Sequence, residues 1–403
     1  MDPTQRARQR LASLEAAGLR RHPPRIDRRQ GVRYELNGTP VVGFCSNDYL
    51  GLADHPELRG TSSPAGASAS RLICGDLPDH RNLEASLAAL VGAEDAILFP
   101  SGFQLNVGVL PTLLEANDLV DSDALNHASL IDGMRLARAR PSILPHGHAP
   151  SSRPARTDAV HWWVTESIFS MDGDRLDPDA AAHHLERGAS MFVDEAHAIG
   201  LFDGGRGLLG HHGLAPTVLV GTLSKAFGCA GAFVAASAPL CDLLRNRARS
   251  FVFSTGTSPA LAERISASVA LVRGPEGDRR RQRLWSNVAH LASALGLSEA
   301  EPPSPIMPIL IGDNEQAVFV ASQLLERGWH VQAIRPPTVP PGTARLRLTV
   351  TADHEPEQID ALVADLRDLL RACDLPLRIE RGLVPSKAPA SASRDAHPTR
   401  RGA

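Results

Sequence analysis

The strongest constraint on this chain is a lysine set among small residues, directly after a short apolar run. Residues 217–220 predict a buried strand, and residues 221–228 (Gly-Thr-Leu-Ser-Lys-Ala-Phe-Gly) follow it with Lys225 in their middle. A loop of this composition lets the backbone approach phosphate oxygens and can hold an amine close to a ligand. Taken alone, Lys225 is better explained as a loop lysine in water. Arginine far outnumbers lysine in this chain, which makes the position more informative.

A second apolar run, at residues 191–193, leads into Asp194 and His197. Strands of an α/β sheet deliver their C-terminal residues to one edge, where such folds build their sites. An amine that binds an aldehyde and an acid that pairs with a pyridinium nitrogen are what a pyridoxal 5′-phosphate (PLP) enzyme needs. Asp194 alone could equally cap a helix. The indication of PLP chemistry comes from Lys225, Asp194 and His197 together.

Strands that alternate with helices from about residue 95 to 235 predict a mostly parallel sheet covered on both faces. Before it, residues 4–20 and 80–92 predict helices, and 32–44 predict a hairpin that turns at Asn37-Gly38. After it, the pattern predicts an α+β domain, with helices over 258–300 and 356–371 and strands at 306–311, 331–334 and 345–350.

Four parts of the chain are therefore expected. They are an N-terminal helix and hairpin arm (1–45), a large PLP-binding domain (46–240), a helical connection with a small C-terminal domain (241–375), and a tail (376–403). The tail lacks the apolar residues needed to fold and is predicted to be disordered. Residues 60–80 are rich in Gly, Ser, Ala and Pro, which fits a ligand-binding backbone or a flexible linker equally well.

Composition narrows the class of protein. The 403 residues carry a net charge of −3, which gives no general attraction to nucleic acid or anionic membranes. No apolar run approaches a membrane span of about 20 residues, and the Arg-rich N-terminus does not read as a secretory signal. The five cysteines form no CxxC pair, so a reducing cytoplasm is expected. His146-Gly147-His148 could bind metal but lacks a third ligand, so no metal is predicted.

Eight motifs carry a resemblance to a known family: residues 46–52, 101–103, 127–130, 166–174, 193–197, 221–228, 333–340 and 342–347. Over about residues 10–370 the chain resembles the α-oxoamine synthases, PLP-dependent enzymes that join an amino acid to an acyl-CoA. The resemblance implies fold type I: a mostly parallel central sheet flanked by helices, plus a smaller C-terminal α+β domain. Two regions, 58–64 and 148–160, are shorter than is usual in the family, and neither removes a motif residue.

The resemblance also implies residue roles at the PLP ring. Lys225 would bind the cofactor aldehyde and then remove the α-proton of the amino acid. Asp194 would keep the pyridine nitrogen protonated, and His127 would stack on the ring face. His197 and Ser170 would hydrogen-bond the phenolic oxygen.

Further roles concern the phosphate and the substrate. The resemblance places Gly102, Phe103 and Thr222 at the cofactor phosphate. Arg347 resembles the arginine that binds the amino acid carboxylate, a bidentate task that lysine performs poorly, and Arg345 is the alternative for it. The remaining matches are to substrate-binding positions: Arg20, Thr338 and, again, His127. The family's site lies at a homodimer interface, where Ser254 and Thr255 of a second subunit would reach the phosphate.

The stretch at 335–340, with the Arg-Leu-Arg that follows at 345–347, favours the biotin branch of the family. That branch condenses L-alanine with a pimeloyl thioester, carried by CoA or by an acyl carrier protein. Glycine C-acetyltransferase, 5-aminolevulinate synthase and serine palmitoyltransferase types remain alternatives. A non-catalytic scaffold is disfavoured by the intact Lys225, Asp194 and His197. A nucleic-acid-binding module is disfavoured because aromatic residues are not interleaved with the arginines.

Overall fold

The computed structural model describes residues 2–21, 23–151, 159–297 and 304–380. Its strands are β1 (Ile26–Gln30), β2 (Arg33–Leu36), β3 (Thr39–Gly43), β4 (Asp95–Phe99), β5 (Leu119–Asp123), β6 (Ser142–Leu144), β7 (His161–Glu166), β8 (Ser190–Asp194), β9 (Val218–Thr222), β10 (Ala232–Ala236), β11 (Ile306–Gly312), β12 (Trp329–His330), β13 (Gln332–Ile334) and β14 (Ala344–Thr349). Its helices are α1 (Pro3–Ala16), α2 (Pro78–Val91), α3 (Gly102–Leu113), α4 (Ala128–Leu136), α5 (Pro178–Glu186), α6 (Leu208–His211), α7 (Ala238–Arg247), α8 (Arg249–Val252), α9 (Pro259–Arg273), α10 (Pro275–Leu295), α11 (Asn314–Glu326) and α12 (Pro356–Ala372).

The large sheet confirms the predicted α/β architecture. Its seven strands run in the order β4-β10-β9-β8-β7-β5-β6, and β10 is antiparallel to both of its neighbours. The strands from β9 to β6 are parallel. Glu166 on β7 pairs in register with Asp194 on β8, and Asp194 with Val220 on β9. The C-terminal ends of these three strands therefore meet at one edge.

Helices bury both faces of the large sheet. Successive strand residues face opposite sides, so Val193 and Leu219 join one apolar cluster, with α2, α9 and α10. Phe192 and Val220 join a second cluster, with α3, α4 and α7. Strands covered on both faces become nearly continuous apolar runs, which explains the sequence pattern of β8 and β9. The sheet edge that carries Asp194 is thus held by two packed layers.

The smaller domain draws on both ends of the chain. One of its sheets has the order β11-β14-β13, and the other has the order β1-β2-β3-β12. The predicted hairpin at Asn37-Gly38 is confirmed, and both residues have the positive φ (52° and 88°) of its tight turn. However, β3 pairs in parallel with β12, so the strands of the predicted arm (1–45) belong to the C-terminal domain.

Two predicted boundaries differ from the structure. Helix α1 ends at Ala16, because Gly18 turns the chain with a φ of +63°. Residues 376–380, predicted as part of the tail, belong to the packed structure: Leu310 N–H donates to the Arg378 carbonyl (2.8 Å), and Leu377 and Ile379 pack against the core. The rest of that tail, 381–403, lies outside the described residues, as do 152–158 of the shortened region.

Residues 60–80 are not a linker, because Arg71 within them is buried and bound to Glu84 (2.9 Å) and Asp76 (2.6 Å). Among the described helices, none is long and apolar enough to cross a membrane.

Candidate active site

Lys225 lies just beyond β9, and its amine is close enough to Asp194, Glu166 and Arg347 to feel their charges. Burial lowers the pKa of Lys225 to about 8, although the carboxylates of Asp194 and Glu166 act to raise it. About one tenth of the amine is then unprotonated at pH 7. The loop therefore presents an amine that can act as a nucleophile and as a base near neutral pH.

Asp194, at the end of β8, is buried and held in one orientation. Asn106 Nδ2, from α3, donates to Asp194 Oδ2 (2.9 Å), and the Ala196 N–H donates to Oδ1 (3.0 Å). Asn106 also donates to Ser129 Oγ (3.0 Å) on α4. Each carboxylate oxygen can accept a second hydrogen bond, so Asp194 can receive the N–H of a pyridinium ring. The sequence did not indicate Asn106 as a site residue.

His127 is the N-cap of α4, and the residue is partly exposed to solvent. The backbone N–H of His127 donates to Glu166 Oε1 (2.6 Å), and the backbone N–H of Ser129 donates to the ring Nδ1 of His127 (3.2 Å). An accepting Nδ1 assigns the ring proton to Nε2, and burial lowers the pKa of His127. Burial also raises the pKa of Glu166 well above its usual value. A neutral imidazole with an open face suits stacking on a flat ring.

His197 lies on the same edge, 2.6 Å from the hydroxyl of Tyr49 through Nδ1. Both side chains are buried, and burial lowers the pKa of His197 well below its usual value. Burial raises the pKa of Tyr49 to about 12. A neutral His197 can donate from its other ring nitrogen to a phenolic oxygen, as the resemblance implies. Tyr49, within the motif at 46–52, was not predicted as its partner.

Arg347 and Arg345 project from the same face of β14 but are engaged differently. Arg345 forms a buried ion pair with Asp172, and its Nε donates to the Thr343 carbonyl (3.0 Å). Arg347 donates to the Ser170 carbonyl (2.6 Å) and to two neutral side-chain oxygens, those of Asn47 (3.1 Å) and Thr349 (2.8 Å). No hydrogen bond or ion pair among the described residues joins Arg347 to a carboxylate. Its charge is therefore available to an anionic substrate, which favours Arg347 over Arg345.

The first turn of α3 offers backbone donors to an anion. Ser101 caps this helix by accepting from Gln104 N–H (3.2 Å), and a Cβ added at Gly102 would meet nothing within 4 Å. Gly102 and Phe103 are the first two residues of this 12-residue helix, where backbone N–H groups have no partner within the helix and can bind an anion. Thr222, at the end of β9, is buried, with its hydroxyl 2.9 Å from Ser224 Oγ.

Arg20 and Thr338 are not joined to these residues by any hydrogen bond or ion pair in the described chain. Arg20 pairs with Glu15 (3.1 Å) in its own N-terminal segment. Thr338 Oγ1 instead accepts from Arg21 (3.1 Å), and Arg335 donates to the Gly18 carbonyl. The N-terminal segment after α1 therefore packs against the loop at 335–338, with Arg21 rather than Arg20 at Thr338.

The donor set fits PLP. An amine, an oriented carboxylate, a flat neutral imidazole and open helix N–H groups match the aldehyde, ring nitrogen, ring face and phosphate of that cofactor. No group of three or more metal-ligating side chains is found in the described ranges. His146 is not available to a metal, because its two ring nitrogens contact Asp123 and Asp174.

Comparisons with known proteins identify the family of this chain. The family model for class I and II aminotransferases matches residues 39–366. An 8-amino-7-oxononanoate synthase from Methylococcus capsulatus is 43% identical over 375 residues, covering 89% of this chain and 96% of the relative. The protein of the same name from Anaeromyxobacter sp. (strain Fw109-5) is 44% identical over 380 residues, covering 90% and 94%.

Solved structures with the same fold include a serine palmitoyltransferase from S. paucimobilis with PLP and myriocin bound. It superposes with a TM-score of 0.81 at 26% identity, over 93% of this chain and 100% of that one. An 8-amino-7-oxononanoate synthase from Francisella tularensis superposes with a TM-score of 0.68 over 83% of this chain and 99% of that one. At 23% identity, the second comparison supports the fold alone.

Proposed function

Because this chain belongs to the class I and II aminotransferase family, and within it to the 8-amino-7-oxononanoate synthases, we propose that it condenses L-alanine with a pimeloyl thioester. A bond forms between the alanine Cα and the thioester carbonyl carbon, and the thiol leaves. The bond from Cα to the carboxylate then breaks, carbon dioxide is released, and Cα takes up a proton. The products are 8-amino-7-oxononanoate, carbon dioxide and the free thiol.

Each residue of the site has a task in this scheme. PLP, when bound, supplies an electron sink for the carbanion that forms at Cα. Lys225, with its pKa lowered to about 8, would hold the cofactor aldehyde and remove the Cα proton. Asp194, oriented by Asn106, would keep a proton on the ring nitrogen. His127 would cover one face of the ring.

One observation supports this proposal most directly. The Lys225 amine lies within the electrostatic reach of both Asp194 and Arg347. A substrate whose carboxylate is bound by Arg347 would place its Cα near the amine, while the cofactor ring reaches Asp194. Holding the two in this order supplies much of the rate by proximity.

We also propose a cytoplasmic homodimer. Ile73 and Phe253 are apolar yet exposed (79% and 74%), and a backbone bridge between Ser70 and Thr255 joins the segments that carry them. Exposed apolar side chains this close together mark an interaction surface. A second copy covering it would bring its Ser254 and Thr255 toward the phosphate.

The test is mass analysis of the product formed from alanine and pimeloyl-CoA by the purified protein. We expect 8-amino-7-oxononanoate, and none with a Lys225→Ala variant. Glycine and serine, each with acetyl-, succinyl- and palmitoyl-CoA, form the comparison panel. A higher kcat/KM with any of these pairs would assign the chain to a sister activity. Replacing CoA by an acyl carrier protein in the same assay identifies the preferred carrier.

A further inference from the structure

His146, in the loop after β6, lies between two carboxylates. Its Nδ1 is 2.8 Å from Asp123 Oδ1 at the end of β5, and its Nε2 is 2.6 Å from Asp174 Oδ2 in the loop after β7. The His146 side chain is 5% exposed, and its edge contacts the Phe169 ring at 4.4 Å between centroids. Ionised carboxylates only accept hydrogen bonds, so both ring nitrogens carry protons. The residue is a buried imidazolium held by two charge-assisted bonds.

The groups that face His146 account for its charge. Asp123 and Asp174 are its acidic neighbours, and they raise the pKa of His146 to about 9 against the effect of burial. Asp123 also accepts from Gly147 N–H (2.9 Å) and Leu125 N–H (2.7 Å). Phe169 adds an apolar wall. Without the imidazolium, Asp123 and Asp174 would face one another with no cation between them.

Asp174 belongs to the loop that carries the substrate end of the site. Phe169 N–H donates to the Asp174 carbonyl (3.0 Å), and Gly173 N–H donates back to the Phe169 carbonyl (2.9 Å). The next residue, Ser170, accepts from Arg347 Nε through its carbonyl (2.6 Å). A continuous path of bonds therefore runs from β5 through His146 to the orientation of Arg347.

We propose that His146 is a positioning residue for the amino acid substrate. By tying the loop at 167–175 to β5, it fixes the Ser170 carbonyl and hence the plane of the Arg347 guanidinium. This inference rests on the proposed function, in which Arg347 binds the alanine carboxylate. His146 itself contacts neither substrate nor cofactor in this account.

The charge of His146 sets the direction of a pH effect. Because its pKa in the folded protein lies above the ordinary value of about 6.5, the tie is complete below that value. One of its two hydrogen bonds is lost as the pH rises through about 9, because a neutral imidazole keeps a single N–H. The holoenzyme should therefore bind alanine less tightly in this alkaline range, by the amount that His146 contributes to the affinity.

The experiment compares His146→Gln with His161→Gln. His161 is a matched control, because it also bonds an aspartate (Asp121, 2.7 Å) but lies at the opposite end of β7. Alanine Kd is read from the absorbance change of the PLP-loaded protein. We expect His146→Gln to raise the alanine Kd by about 10-fold, because a charge-assisted hydrogen bond is lost. We expect His161→Gln to leave the Kd unchanged. Equal effects, or none, would overturn the proposal.

A second measurement does not depend on activity. In NMR of histidine-labelled holoenzyme, one imidazole signal should titrate near pH 9, and it should be missing from His146→Gln. If that variant does not fold, Asp174→Asn supplies the comparison, with the signal moved to lower pH. A His146 signal that titrates near 6.5 contradicts the proposal. Neither readout needs the acyl substrate, so a failed condensation with pimeloyl-CoA would refute the proposed function alone.

Discussion

Lys225 has little competition for amine chemistry, because Lys387 is the one other lysine in the sequence. Borohydride reduction of the PLP-loaded protein should fix the cofactor on the peptide that contains Lys225, as read by mass spectrometry. Lys387→Arg should leave the label unchanged, and Lys225→Ala should abolish it. The rate of PLP uptake should rise with pH through about 8, as the Lys225 amine loses its proton. Label on Lys387 would contradict the assignment.

The two arginines of β14 should separate substrate binding from stability. Arg347→Lys keeps the charge but loses the planar fork, so the KM for alanine should rise by about 10-fold or more with a small change in Tm. Arg345→Met leaves Asp172 buried without its cation and should cost about 3–5 kcal/mol of stability. Steady-state kinetics and thermal unfolding of both variants test this. The reverse pattern would make Arg345 the carboxylate-binding residue.

The candidate site residues that the sequence indicated are those whose types are unusual where they stand. Lys225 and Asp194 each follow an apolar strand, and the end of a parallel strand is a position that chain order alone indicates. Asn106 could not be found this way, because its bond to Asp194 spans 88 positions. Tyr49 meets His197 across 148 positions. Such partners depend on how the layers pack, which no local pattern contains.

The same distinction holds for strands and helices. Each face of β8 and β9 is buried, and their apolar runs were predicted. β10, with the sequence Ala-Phe-Val-Ala-Ala, was not predicted, because a short apolar run of this kind could equally begin a helix. Only its pairing with β4 and β9, which lie beside it in the sheet, defines it as a strand. β12 has two residues and forms only because β3 lies alongside it. Pairing partners, rather than propensity, define these two strands.

Glu195 links the end of β8 to the start of α6 by accepting from Leu209 N–H (2.9 Å). Burial raises its pKa to about 7, so the folded state holds a proton that the unfolded state releases near 4.5. Stability therefore falls as the pH rises between these values, by about 3 kcal/mol. The free energy of unfolding of Glu195→Gln should not show this fall. Relative to the parent, the variant should therefore be more stable at pH 8 than it is at pH 5. Denaturant unfolding of both proteins at pH 5 and pH 8 measures this difference. An equal change of stability with pH in the parent and the variant would refute the prediction.

The assembled molecule should respond to a charge placed on its exposed apolar surface. Phe253→Glu puts a carboxylate at the proposed contact between two copies, where it would be buried without a partner, so the protein should become monomeric. PLP affinity should fall with it, because the phosphate would lose the second copy's Ser254 and Thr255. Phe319→Glu is the control, at a 52% exposed phenylalanine on α11. Sedimentation velocity distinguishes the two, and a dimeric Phe253→Glu protein would rule out this contact.

The parallel pairing of β3 with β12 has a consequence for synthesis of the protein in the cell. Val42 cannot pair with Trp329 until that residue has been synthesised, nearly three hundred codons later. The large sheet has all seven of its strands by residue 236, and α9 and α10, which cover one of its faces, are complete by residue 295, so it can fold while the nascent chain is still growing. Protease treatment of stalled translation intermediates should therefore find the first forty residues cleavable long after the sheet has become resistant. The N-terminal strands are synthesised first, but they are among the last segments to pack into the folded protein.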